Sequence, residues 1–177
     1  MEVLYMFQIH DIILYGSRGI YQISEVSERN FRGVSKQYYV LNSIKQDGSV
    51  IYVPVDSKSL QQKMRRILSS EEIYAIIKAM PYEDSIWIEN ESKRKEVYRE
   101  IISRGDRLEL IRMIKALYLH KKQQQSNGKK LHAADEQFFK EAERLLYDEF
   151  ALVLNIRPDQ VLPFIIEQVE LEEKSKA

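Results

Sequence analysis

Along the first 55 residues apolar and polar positions form short alternating runs broken by turn residues, and beyond them the apolar positions recur with helical spacing. Phe7 to Tyr15, Ile20 to Arg29, Lys36 to Ile44 and Val50 to Val55 read as strands, rich in the aromatic and β-branched side chains that suit a pleated surface. Between them stand Gly16-Ser-Arg-Gly19, Asn30 to Gly33 and Asp47-Gly48; the last is a two-residue hairpin signal because both residues tolerate positive φ. Pro54 cannot donate to a ladder, so its strand ends there or lies on an edge. Four or five short antiparallel strands of this kind predict a small barrel.

From Ser57 onward the pattern is helical. Ser69 with Glu72 has the spacing of a capping box and opens a helix that stops at Pro81. Asn90 caps a helix running to Arg104, with Gly105 at the position after its end. Asp106 with Glu109 opens another, whose apolar side is Leu110, Ile111, Ile114, Leu117 and Tyr118. Gln123 to Lys130 reads as a polar loop. Ala134 to Leu154 carries a stripe of Phe139, Ala142, Leu146, Phe150 and Val153, and Pro158 fits the first turn of a last helix that frays in the terminal Glu-Glu-Lys-Ser-Lys-Ala. The expectation is α+β in two domains: a barrel over residues 1–58 and an all-α bundle of about five helices over 59–177, with the boundary near Asp56 to Leu60. The strand pattern begins at Met6, so residues 1–5 read as a lead-in or as the product of an alternative start.

Composition narrows the functional classes. The 177 residues are 44% hydrophobic and 31% charged, enough apolar material for one or two small cores. With no cysteine, a disulfide scaffold, a thiol nucleophile and a Cys-ligated zinc site are excluded. No apolar run approaches the roughly 18 residues of a membrane span, and the N-terminus lacks the basic and apolar regions of a secretory signal. A cytoplasmic protein is expected.

Catalytic chemistry is not visible. His10, His120 and His132 lack metal-ligand neighbours at helical or hairpin spacing and read as exposed or capping residues. Gly16-Ser-Arg-Gly19 joins two strands and lacks the phosphate-loop pattern. The pairs Glu71/Glu72, Asp148/Glu149 and Glu172/Glu173 read as helix-start and surface acids. No enzyme activity, cofactor or metal is expected.

Charge is informative by segment rather than in total. The chain holds 27 basic and 27 acidic residues, a net of zero, but residues 93–130 hold twelve bases against four acids, a net of +8. Residues 131–177 hold five bases against eleven acids, a net of −6. A concentration of +8 on two consecutive helices and a loop is a plausible footprint for a phosphate backbone. The competing reading is that the basic and acidic helices neutralise each other across the bundle. Trp87, the single tryptophan, stands just before the basic helix between isoleucines. It reads as a core residue or as an apolar wedge for a base step.

Met6-Phe-Gln-Ile-His-Asp-Ile-Ile-Leu-Tyr15, Gly19, Lys36-Gln-Tyr-Tyr-Val-Leu41 and Val53-Pro54-Val55 follow one another as in the CarD/CdnL family of bacterial RNA polymerase-binding transcription regulators, which this chain resembles. Ser103-Arg-Gly-Asp106, Gly128-Lys-Lys-Leu131, Ala142-Glu-Arg-Leu-Leu146 and Glu149-Phe-Ala151 extend the resemblance to residue 155. It implies a Tudor-like N-terminal barrel that binds the polymerase β subunit, and a helical domain that contacts promoter DNA at the upstream edge of the transcription bubble. It implies that Arg29, Phe31 and Tyr52 face the polymerase, Tyr52 standing where relatives can carry arginine. It places Lys93 and Arg94 near the DNA backbone and makes Trp87 the candidate wedge, although Trp87 lies about one helical turn earlier, counted back from Gly105, than the family's tryptophan. Arg104 and Arg107 complete the expected DNA-contact set. The expected partners are polymerase and promoter DNA, bound weakly and with little sequence preference, by a monomer. A transcription-repair coupling factor shares the barrel but needs helicase modules that this chain lacks. A protein-only adaptor without DNA contact remains the alternative.

Overall fold

The computed structural model describes residues 6–45 and 47–176. Residues 1–5, on which the alternative-start reading falls, lie outside the described residues, as does Gln46 in the turn before Asp47-Gly48. The chain divides into two compact units between Ile67 and Leu68.

The first unit is a five-stranded antiparallel sheet: β1 (Ile12–Tyr15), β2 (Ile20–Phe31), β3 (Val34–Ser43), β4 (Val50–Pro54) and β5 (Met64–Arg66), with the short helix α1 (Lys58–Gln61) before β5. The spatial order is β4-β3-β2-β1-β5. β5 pairs with β1 through Ile13↔Arg66 and Tyr15↔Met64, so the sheet takes up residues beyond the Asp56–Leu60 stretch where the sequence places the boundary. A three-residue strand carries no periodicity of its own; its place is decided by pairing. Ile13, Tyr15, Tyr21, Ile23, Tyr39, Leu41, Val53 and Met64 form the core of this unit.

Two local features set which side chains this sheet presents. The β2–β3 hairpin is longer than the sequence suggests, closing at Phe31↔Val34 over Arg32 and Gly33, with φ of 54° and 80°. Positive φ at both loop residues is the type I′ geometry that matches strand twist. Arg32 is poorly suited to it, so Arg32→Asn is expected to stabilise the unit by about 0.5–1 kcal/mol, read as a higher denaturation midpoint. The second feature is a register shift between Ile23 and Glu25, where Ser24 Oγ donates to Val40 O at 3.1 Å. Tyr21 and Ile23 point into the core, and an unbroken alternation would send residues 25, 27, 29 and 31 there as well. The bulge reverses the parity, so Val26 packs on the core opposite Tyr39 while Glu25, Ser27, Arg29 and Phe31 take the outer face.

The second unit holds α2 (Ser70–Ala79), a single 3₁₀ turn (Met80–Tyr82), α3 (Glu91–Arg104), α4 (Arg107–Ser126), α5 (Ala133–Leu154) and α6 (Pro158–Lys176). The caps fall where the sequence puts them. Ser69 and Glu72 form a reciprocal capping box, Asn90 accepts from Lys93 N, Asp106 accepts from Glu109 N, and Gly105 ends α3 at φ 62°. Two segments are more helical than expected. Gln123 to Ser126 continue α4, leaving Asn127 to His132 as the loop. The terminal tail is helical through Lys176, where Nζ meets Tyr82 Oη at 3.0 Å and Glu172 at 3.2 Å. Isolated propensity gives neither extension; a helix grows cheaply once its earlier turns are fixed by packing. Tyr98, Ile101, Leu110, Met113, Leu117, Phe139 and Ala142 fill one core, and Ile73, Ile77, Ile111, Leu146, Phe150, Val161 and Ile165 the other. Sheet first and helices second, the architecture is the expected α+β arrangement. Among the described residues no helix is long and apolar enough to cross a membrane.

Candidate functional site

The outer face of the sheet gathers Arg29, Phe31 and Tyr52 into one patch. Phe31 and Tyr52 are 47% and 43% exposed, yet their rings meet edge to face at 5.7 Å, and Tyr38 joins them 5.2 Å from Phe31. The Arg29 guanidinium carbon lies 5.9 Å from the Tyr52 ring centroid, and the same side chain pairs with Glu25. Tyr38 and Glu25 were not candidates from sequence, because membership follows from the bulge and from cross-strand register. β4, which carries Tyr52, is an edge strand of the sheet. Large aromatic side chains held half-exposed beside an arginine have the composition of a protein-binding surface, since rings bury much area at little rotamer cost.

In the helical unit the segment from Pro81 to Glu89 is strapped down through its backbone. Tyr98 Oη donates to Ile86 O at 2.6 Å, Arg94 Nη1 to Ile88 O at 2.7 Å, and Lys115 Nζ to Pro81 O and Glu83 O at 3.0 and 2.5 Å. Ile86 N donates to Arg112 O at 3.2 Å, and Arg112 pairs with Glu83. Burial pushes the Tyr98 phenol well above its ordinary range, keeping it a donor. This strap carries Trp87, which is half-buried against the first helical core. The His120 ring stacks on Trp87 with centroids 3.8 Å apart, Arg94 lies over the indole at 4.4 Å, and the indole Nε1 donates to Glu89 at 3.1 Å. Trp87 is therefore neither a fully buried core residue nor a freely projecting one.

The four basic residues of the expected DNA-contact set separate into two groups. Lys93 is exposed on the first turn of α3, and Arg104 is exposed while paired with Glu109 at 2.9 Å. Arg94 is 3% exposed, and its guanidinium is matched fork to fork on Asp135, Nε to Oδ1 at 3.0 Å and Nη2 to Oδ2 at 2.9 Å. The hydrogen bonds that Arg94 donates to Asp135 hold its proton more firmly still. Arg107 is matched in the same way on Glu149, at 2.7 and 2.6 Å, and Glu149 Oε1 also accepts from Leu68 N at 2.9 Å. Arg94, expected near a DNA backbone, is thus a buried packing element, and Arg107 is committed to a carboxylate that is 1% exposed. Their sequence signal was basic charge, which is the same for a surface cation and for half of a buried pair.

Arg94–Asp135, Arg107–Glu149 and Lys121–Glu136 each join the basic segment to the acidic one. Part of the +8 is consequently internal. Lys93, Arg99, Lys129 and Lys130 are exposed and make no ion pair among the described residues. Lys129 and Lys130 precede α5, whose Asp135 is bonded to the first turns of α3, so this loop lies at the Lys93 end of the bundle. Among the described residues no group of three or more histidines and carboxylates could hold a metal ion.

The chain combines a half-exposed aromatic patch on an antiparallel sheet with a helical unit that carries a strapped tryptophan and a basic end. Residues 7–68 match the family model of the CarD-like/TRCF RID domain, and residues 72–165 match that of the CarD C-terminal domain. The chain belongs to the CarD-like family, whose members are non-catalytic, RNA polymerase-interacting regulators of transcription. No curated protein sequence matches it.

Proposed function

We propose that this protein, as a monomer, binds the RNA polymerase β subunit through the Arg29–Phe31–Tyr52 patch, contacts promoter DNA near the upstream edge of the bubble through the Trp87–Lys93 end of its helical unit, and so stabilises the open complex. The observation that carries the reading is the convergence of Arg29 and Phe31 of β2 with Tyr52 of β4 on one exposed face of the domain that matches the polymerase-interacting family model. Tethering by the sheet unit raises the local concentration of the helical unit at the promoter, so weak, sequence-tolerant DNA contact is sufficient. Trp87, against a melted junction, shifts the closed-to-open equilibrium by its differential affinity for the open state. Lys93 and the exposed Arg104 hold phosphate; Arg94 and Arg107 position the loop and helices.

Co-purification with polymerase tests the sheet half. Arg29→Glu puts two carboxylates together beside Tyr52 and is expected to weaken association at least tenfold while leaving the fold intact, because the site is exposed. Absence of any association by the unaltered protein would remove the reading altogether.

The ion pairs between basic and acidic segments favour a second reading, an adaptor that binds polymerase without touching DNA. A salt titration of duplex binding separates the two. With the unpaired cations at Lys93, Arg99, Lys129 and Lys130, DNA contact predicts a slope of log affinity against log salt of about −2 to −4. Binding absent at every salt concentration selects the adaptor.

A further inference from the structure

Besides the first helical core, Trp87 rests against two partners of different kinds, Arg94 and His120. Arg94 is fixed by Asp135 and by Ile88 O at 2.7 Å, so it forms a rigid support that also serves the core. His120, from the middle of α4, stacks on the indole at 3.8 Å with the ring planes 23° apart. Its other described side-chain hydrogen-bond partner is Gln124, whose Nε2 lies 3.3 Å from His120 Nε2. His120 is half-buried. The indole Nε1 bond goes to Glu89, an exposed residue of the same strap, and cannot by itself fix the ring. The core packs against part of the indole and Arg94 lies over its ring; the His120 ring stacked on it at 3.8 Å restricts the tilt that remains.

We propose that His120 is a positioning residue for Trp87, holding the indole at the attitude in which it meets DNA. The proposal rests on the DNA reading above and deepens it by adding a residue on a different helix.

Trp87 is the single tryptophan, so tryptophan emission reports on the surroundings of this one ring. His120→Ala uncovers part of the ring and is expected to raise its acrylamide quenching constant about twofold while leaving the denaturation midpoint near that of the unaltered protein. The open-complex lifetime should fall roughly three- to tenfold, the range of an aromatic stack. His120→Phe keeps a stacking ring without the Gln124 bond and should restore both quenching and lifetime. An unchanged quenching constant in His120→Ala overturns the proposal. So does an unchanged lifetime in His120→Ala where Trp87→Ala shortens it, and that result leaves the DNA reading standing. If Trp87→Ala itself has no effect on the lifetime, the DNA reading fails and the role of His120 falls with it.

Discussion

Asp135→Ala is expected to destabilise the helical unit by about 3–5 kcal/mol, the cost of leaving a buried guanidinium without its counter-charge. Asp135 and Arg94 side chains are 1% and 4% exposed and share two parallel hydrogen bonds, so neither can turn to water when the other is removed. Arg94 would keep Ile88 O, Glu89 O and the Trp87 ring, none of which carries charge. Asp135→Asn should cost less, because shape and one acceptor survive. Replacing both partners by apolar residues of similar volume, Arg94→Met with Asp135→Leu, should recover most of the loss, since it removes the desolvation penalty together with the attraction. A denaturant titration reads the series through its midpoints at unchanged slope. The outcome bears on function: a loss below about 1 kcal/mol would mean that water reaches the pair, and Arg94 would return to the DNA contacts.

Glu149→Ala is the second large effect, expected at about 2–4 kcal/mol. Glu149 is 1% exposed and satisfies three donors on two other segments, Nε and Nη2 of Arg107 on α4 and the backbone N–H of Leu68 where the helical unit begins. The loss is smaller than at Asp135 because the Arg107 side chain is 16% exposed and can recover part of its hydration. Glu149→Gln keeps an acceptor for Leu68 N–H and should fall between. Hydrogen exchange locates the effect: the amide of Leu68 should lose protection in Glu149→Ala and keep it in Glu149→Gln.

The aromatic patch shows where reading residues one by one stops. The resemblance singles out Arg29, Phe31 and Tyr52, but nothing in the run Ile20 to Phe31 says that residues 25, 27, 29 and 31 face outward, because their parity continues that of the buried Tyr21 and Ile23. One extra residue at Ser24 changes the answer for the whole end of the hairpin, and a bulge is a property of the pairing rather than of the strand. The charge pattern fails in a similar way. Twelve bases over residues 93–130 are a fact of the sequence, whereas Arg94–Asp135 lies 41 positions apart and Arg107–Glu149 lies 42, so which bases remain available follows from helix packing.

The sequence by itself determined what depends on near neighbours along the chain: four of the five strands, five helices, the Ser69, Asn90 and Asp106 caps, and the Gly105 stop, each set within about four residues. The tertiary structure alone decided what depends on distant partners: the fifth strand, the outward face of Arg29 and Phe31, the burial of Arg94 and the seat of Trp87 against His120. The physical reason is range. Backbone capping and periodicity act over one or two turns, while burial and charge pairing are settled only when segments tens of residues apart come together and exclude water.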